Sequence, residues 1–112
     1  MPSPTQLRGG RAEQRAVFYL QRHGYRILDR HYTSRYGEID ILAEKAGTPY
    51  IVEVKYRSHE GAWPIELAMT QRKIERLLLT YTYWLEQQQK KHPPPRMIWL
   101  LITPATIRHI DL

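Results

Sequence analysis

The chain has no cysteine, few acids in its first third and no apolar run long enough to cross a bilayer. Without cysteine there is no disulfide, no thiolate zinc or iron–sulfur site and no thiol nucleophile. The longest apolar run ends at Ile102 and falls far short of the ~20 residues a membrane helix needs. Residues 1–14 hold no apolar core, so nothing there reads as a signal peptide. A reducing, cytoplasmic setting is the expectation. The 112 residues fit a single domain that buries roughly two-thirds of its unfolded surface.

What is present is positive charge: 17 Lys+Arg against 11 Asp+Glu, a net +6. That balance favours phosphate-rich partners or anionic surfaces. No basic helix with a broad apolar face is visible, which argues against a membrane surface. The charge is unevenly spread. Residues 1–36 carry +5, residues 37–55 carry −2 and residues 56–112 carry +3. An acidic island inside a basic chain is the feature that needs a cause.

Residues 1–10, with two prolines and Gly9-Gly10, read as a mobile arm, and residues 11–112 as the domain. Ala12, Ala16, Tyr19 and Leu20 recur at helical spacing, so a helix is predicted over 11–23, capped by Gly24. Residues 25–32 and 38–43 alternate as strands. Residues 50–56 are the clearest strand, reached through turn chemistry at 45–49. Pro64 suits a first helical turn. A long helix follows from about Thr70, with Ile74, Leu77, Leu78, Tyr81 and Leu85 inward. Pro93-Pro94-Pro95 must end it. Residues 97–102 form an apolar, interior strand, and 107–110 a short last one. The expected architecture is α/β, α-β-β-β-α-β plus a terminal strand.

Alternation puts Glu53 and Lys55 on one face of their strand, and Glu38 and Asp40 on one face of the preceding strand. A hairpin between them sets Asp40 beside Glu53. Glu13 lies along the inward stripe of the first helix, three and four residues before Ala16 and Val17. Three carboxylates and one lysine are thus expected to converge. Two like charges ~4 Å apart repel by about 4 kcal/mol at an effective dielectric near 20. Such a cluster needs protons, bases or a cation, and Lys55 neutralises one acid at most. Oxygen donors suit Mg²⁺, Mn²⁺ or Ca²⁺. Each acid taken singly is equally well explained by an ordinary ion pair.

Asp40 followed by Glu53-Val54-Lys55 resembles the D…ExK signature of the PD-(D/E)xK nuclease superfamily. Glu13 resembles the first-helix acid of its Holliday-junction-resolvase branch. Residues 24–28, 37–42 (Gly-Glu-Ile-Asp-Ile-Leu) and 52–57 (Val-Glu-Val-Lys-Tyr-Arg) are similar to the YraN-like, or UPF0102, family of predicted endonucleases. The resemblance covers roughly residues 9–110. It implies a restriction-endonuclease-like core with a mixed sheet flanked by helices. It also implies Mg²⁺-dependent phosphodiester hydrolysis in nucleic acid, with DNA, branched or partly single-stranded, as the substrate. In its terms Asp40 and Glu53 are metal ligands, Lys55 the catalytic lysine and Glu13 an auxiliary ligand. Gln71 and Lys73 fall where relatives carry polar and basic residues. A non-cleaving nucleic-acid-binding module with the same site is the alternative. Thr33, His31 and Ile98 depart from the family pattern, where basic, Asn and acidic residues are usual.

Arg35 and Arg57 are the leading candidate phosphate contacts, with Arg11 and Arg15 behind them. Each is equally compatible with a solvated surface. The five histidines lack ligand spacing. Trp84 and Trp99 fit core positions, and Trp63 is left for base stacking. A homodimer through the exposed last strand would suit junction cleavage.

Overall fold

The computed structural model describes residues 4–59, 70–89, 91 and 93–112, with side chains from residue 10 onward. The chain runs α1 (Pro4–Arg22), β1 (Arg26–Ser34), β2 (Gly37–Lys45), β3 (Thr48–Tyr56), α2 (Gln71–Gln88), β4 (Arg96–Ile102) and β5 (Ile107–Asp111). The five strands lie in the order β1-β2-β3-β4-β5. All neighbours are antiparallel except β3 and β4, which run parallel. This is the mixed sheet expected. The readings for Trp63, Pro64 and His92 fall outside the described residues.

Local chemistry sets the boundaries. Gly24, at φ +86°, closes α1 in a Schellman arrangement: Tyr25 N–H donates to Leu20 O and Gly24 N–H to Gln21 O. Ala46 and Gly47 both take positive φ between the paired Lys45 and Thr48, which is the two-residue turn that suits twisted hairpins. Thr70 caps α2 by accepting from Lys73 N–H, and left-handed Gln89 ends it. α1 starts at Pro4, earlier than its apolar pattern, and takes in residues that the sequence places in the arm. Proline is tolerated in a first turn because its missing N–H has no helical partner there. Once nucleated, a helix propagates past weak formers such as Gly9 and Gly10.

The helices cover opposite faces of the sheet. Ala12, Ala16, Val17 and Leu20 of α1 pack on Ile41, Val52, Ile98 and Leu100. Leu77, Tyr81 and Trp84 of α2 pack on Ile39, Leu42 and Ile51. Trp84 and Thr80 are buried in α2, whereas Leu78, expected inside, is 38% exposed. The inward stripe is therefore rotated. Trp84 buries its large ring and donates its Nε1–H to Asp29 on β1, which outcompetes a leucine on the flank. Ile98, at the departure in β4, is fully buried against α1.

Candidate active site

The face alternation of β2 breaks at Asp40. Ile39 belongs to the cluster under α2, while the next apolar residue, Ile41, belongs to the cluster under α1. Opposite, regular pairing stops at Arg30–Ile41 and resumes at Tyr32–Ile39, leaving His31 between, at φ +52°. Outside glycine, that conformation is most accessible to Asn, Asp and His. The β2–β3 pairing ends at Ile41–Val52, and there Asp40 Oδ2 accepts the Val54 N–H at 2.9 Å. A side chain thus satisfies a backbone donor that a continuing ladder would have paired. Asp40 sits where the two strands part.

Glu53, 8% exposed, leans toward α2. Its Oε1 accepts from Lys73 Nζ at 3.1 Å and lies 3.4 Å from Lys55 Nζ. Trp99, its partner in the parallel register, is buried beside it. Glu13, also 8% exposed, comes from the α1 side. Its Oε1 meets Arg30 Nη2 at 3.3 Å and contacts His31 Nε2, whose Nδ1 in turn meets Glu38 at 2.9 Å.

The expectation of three carboxylates on one face therefore needs correction. Glu13 and Glu53 approach from opposite sides of the sheet, each with its own bases, and Asp40 lies at the break between them. Two lysines serve Glu53; Arg30, which the sequence did not single out, and His31, which it marked only as a departure from the family pattern, serve Glu13. Strand periodicity carries no signal for a break in alternation, so these partners were not legible.

Electrostatics follow from the placement. Burial, then the charge of Glu53, pushes Asp40 from 3.8 to about 6; Glu13 and Glu38 add to the rise and the Val54 N–H opposes it. The hydrogen bond to Glu38 raises His31, with burial working against it and the charges of Glu13, Glu38 and Asp40 adding to the rise. Among the described residues, no group of three His, Asp or Glu side chains is arranged to hold a metal ion. Asp40 and Glu53 are nonetheless close enough to feel one another.

The remaining predicted residues divide. Lys73 joins the site. Gln71 is exposed and donates to Glu75 at 3.3 Å. Arg35 is exposed at the β1–β2 turn, donating to the Tyr36 hydroxyl at 2.8 Å, and Arg11 is exposed on α1. Arg57 donates to Tyr56 O at 2.7 Å, at the end of β3. The Arg15 guanidinium donates to the carbonyls of Thr103 and Thr106 and so ties α1 to the β4–β5 turn.

Two clefts adjoin the His31–Glu38 contact. One, about 360 Å³, is lined by Glu13, His31, Asp40, Val54 and Tyr56 on the α1 side. The other, about 290 Å³, is lined by Tyr36, Glu38, Arg72, Lys73 and Arg76 on the α2 side. The His31–Glu38 contact bridges them. Arg72 and Arg76 were missed, although their spacing with Lys73 marks one flank of a helix.

Comparison with known proteins agrees with this architecture. The fold is similar to that of Hjc, a Holliday junction resolvase of Archaeoglobus fulgidus, with a TM-score of 0.58 over 91% of this chain and 75% of that one. At 19% identity this likeness shows the fold alone. No described helix is long and apolar enough to cross a membrane. A UPF0102 protein of Persephonella marina is 36% identical over 104 residues, spanning 93% of this chain and 90% of its own. A UPF0102 protein of Geobacter metallireducens is 44% identical over 85 residues, spanning 73% and 67%. The model of the uncharacterised protein family UPF0102 matches residues 12–103, and the chain belongs to that family.

Proposed function

We propose that the protein is a metal-dependent endonuclease of the PD-(D/E)xK type that hydrolyses phosphodiester bonds in DNA, with branched or partly single-stranded DNA as its substrate. The observation that carries the reading is Asp40: a carboxylate held between parting strands, within range of the charge of Glu53, with Lys55 beside Glu53. The resolvase-like fold supports it.

The donor chemistry fits a hard divalent cation. Asp40 Oδ2 is committed to Val54, and the charge of Glu53 resists its ionisation, which an ion shared by the two acids would reverse. Asp40 and Glu53 would hold it. Glu13, engaged by Arg30 and His31, would act from farther out. Mg²⁺ or Mn²⁺ supplies charge neutralisation and a more acidic water. Lys73 fixes Glu53 from α2, so the carboxylate is oriented before substrate arrives. Lys55 places an ammonium where it can orient the attacking water or hold charge developing on the phosphate. Arg35, Arg57, Arg11 and Gln71 would contact the DNA backbone. The same reading places the protein in the cytoplasm and offers the open edge of β5 to a second copy.

The test is cleavage of labelled four-way junction, single-stranded and duplex DNA, and of RNA, in Mg²⁺, Mn²⁺ or EDTA. Wild-type protein should cut with metal, and Asp40→Ala, Glu53→Ala and Lys55→Ala should each lose at least a hundredfold. Binding without cutting on every substrate would leave a non-cleaving binding module instead.

A further inference from the structure

The α2-side cleft does not end at the site. Sharing Tyr36, Glu38 and Arg76 with it is a cleft of about 470 Å³ also bordered by Arg35, and sharing Arg35 and Tyr36 with that one is a cleft of about 620 Å³ bordered by Tyr83 and Glu86. Tyr36 borders all three. The clefts form one groove between the β1–β2 turn and α2, running from Lys73, which holds Glu53, toward Tyr83.

Its charge is complementary to a polyanion. Arg35, Arg72, Lys73 and Arg76 line it against Glu38 and Glu86, and Glu38 is met by His31. Its aromatic content is equally specific. The Arg35 guanidinium lies 5.0 Å from the Tyr36 ring centre and donates to the Tyr36 hydroxyl, so cation and ring form a prearranged pair. Tyr83 is 44% exposed at the far end. Arginines alone would serve a duplex backbone. Tyrosine faces are useful to a nucleic acid only where bases are unstacked, and stacking on aromatic rings is tolerant of sequence.

We infer that this groove binds a single-stranded segment of the substrate, its phosphates on Arg72, Arg76 and Arg35 and one base stacked at Tyr36. Tyr36 thereby selects nucleic acid with unpaired nucleotides next to the bond to be cut. The inference rests on the nuclease reading for its orientation, but its test does not need cleavage. Fluorescence anisotropy in EDTA should show a dT oligonucleotide of about 12 nucleotides binding about tenfold tighter than a blunt duplex of equal length. Tyr36→Ala should lower affinity for the oligonucleotide about tenfold and for the duplex less than twofold, while Tyr36→Phe retains most of it. An abasic strand of the same length, which keeps the phosphates, should bind wild-type protein about tenfold more weakly than dT, and that comparison needs no variant. Equal affinity for abasic and dT strands, or an equal loss on duplex and single strand in Tyr36→Ala, would overturn the inference. Binding as expected by a protein that never cuts would sink the nuclease reading and leave the groove standing. Cutting that ignores Tyr36 would do the reverse.

Discussion

Replacing Asp40 with Asn isolates the electrostatic cost of the site. The folded protein holds this carboxyl at about 6, against 3.8 for the free side chain, chiefly through burial and then through Glu53. About two units at 1.36 kcal/mol each amounts to about 3 kcal/mol. The folded state keeps a proton that the unfolded chain has already released. Stability contributed by protonated Asp40 is therefore full below about pH 4, falls between about pH 4 and 6, and is gone above. Asn has nearly the same shape and still offers Val54 N–H an oxygen, but has no charge to desolvate. Asp40→Asn should accordingly stabilise the protein by about 2–3 kcal/mol at pH 7.5, roughly 10 °C in Tm, and by almost nothing near pH 4. Thermal melts followed by circular dichroism in EDTA at both pH values measure this. Mn²⁺ should then raise the Tm of the wild type and leave the variant unmoved. A variant that melts at or below the wild type at neutral pH would refute the argument that Asp40 is held against its own ionisation.

Three further predictions concern residues around the site. Arg15→Ala should cost about 1–2 kcal/mol in urea unfolding by removing the hydrogen bonds of its guanidinium to the Thr103 and Thr106 carbonyls, with DNA affinity in EDTA unchanged. Glu13→Gln should cost about 1 kcal/mol, because Arg30 and His31 are largely solvated and lose a weak pairing. It should also lower the His31 pKa, which NMR titration of the imidazole detects. Thr70→Ala removes the cap of α2 and should cost about 1 kcal/mol; hydrogen exchange at Lys73 N–H should rise with it.

Much of the fold was legible because its signals are local. The alternation in β3, the Ala46-Gly47 turn and the Gly24 cap each depend on residues within a few positions, and the first two fix the β2–β3 register. One departure came from tertiary context. Trp84 rotates the buried stripe of α2 because a distant Asp29 offers its indole a partner. The site was legible in its members and not in its arrangement. Asp40, Glu53 and Lys55 stand out by type and spacing, but alternation predicts one shared face. The positive φ of His31 and the end of the β2–β3 ladder cancel that rule, and neither leaves a mark in hydrophobic pattern. Arg30 and His31 are ordinary strand residues until the break aims them at Glu13.

The one parallel pairing in the sheet has a kinetic meaning. β1, β2 and β3 meet through hairpins of a few residues, whereas joining Tyr50 to Arg96 closes a loop of 46 residues. By chain statistics that closure costs about 2 kcal/mol more entropy than a four-residue hairpin. Asp40, Glu53 and Lys55 thus belong to the part of the chain that assembles by short-range contacts. Lys73 and the buried wall of Trp99 arrive with the crossover. This difference predicts that the acidic pair comes together before its second lysine does. Conditions that mask carboxylate charge, such as mild acid, should therefore speed folding through that step.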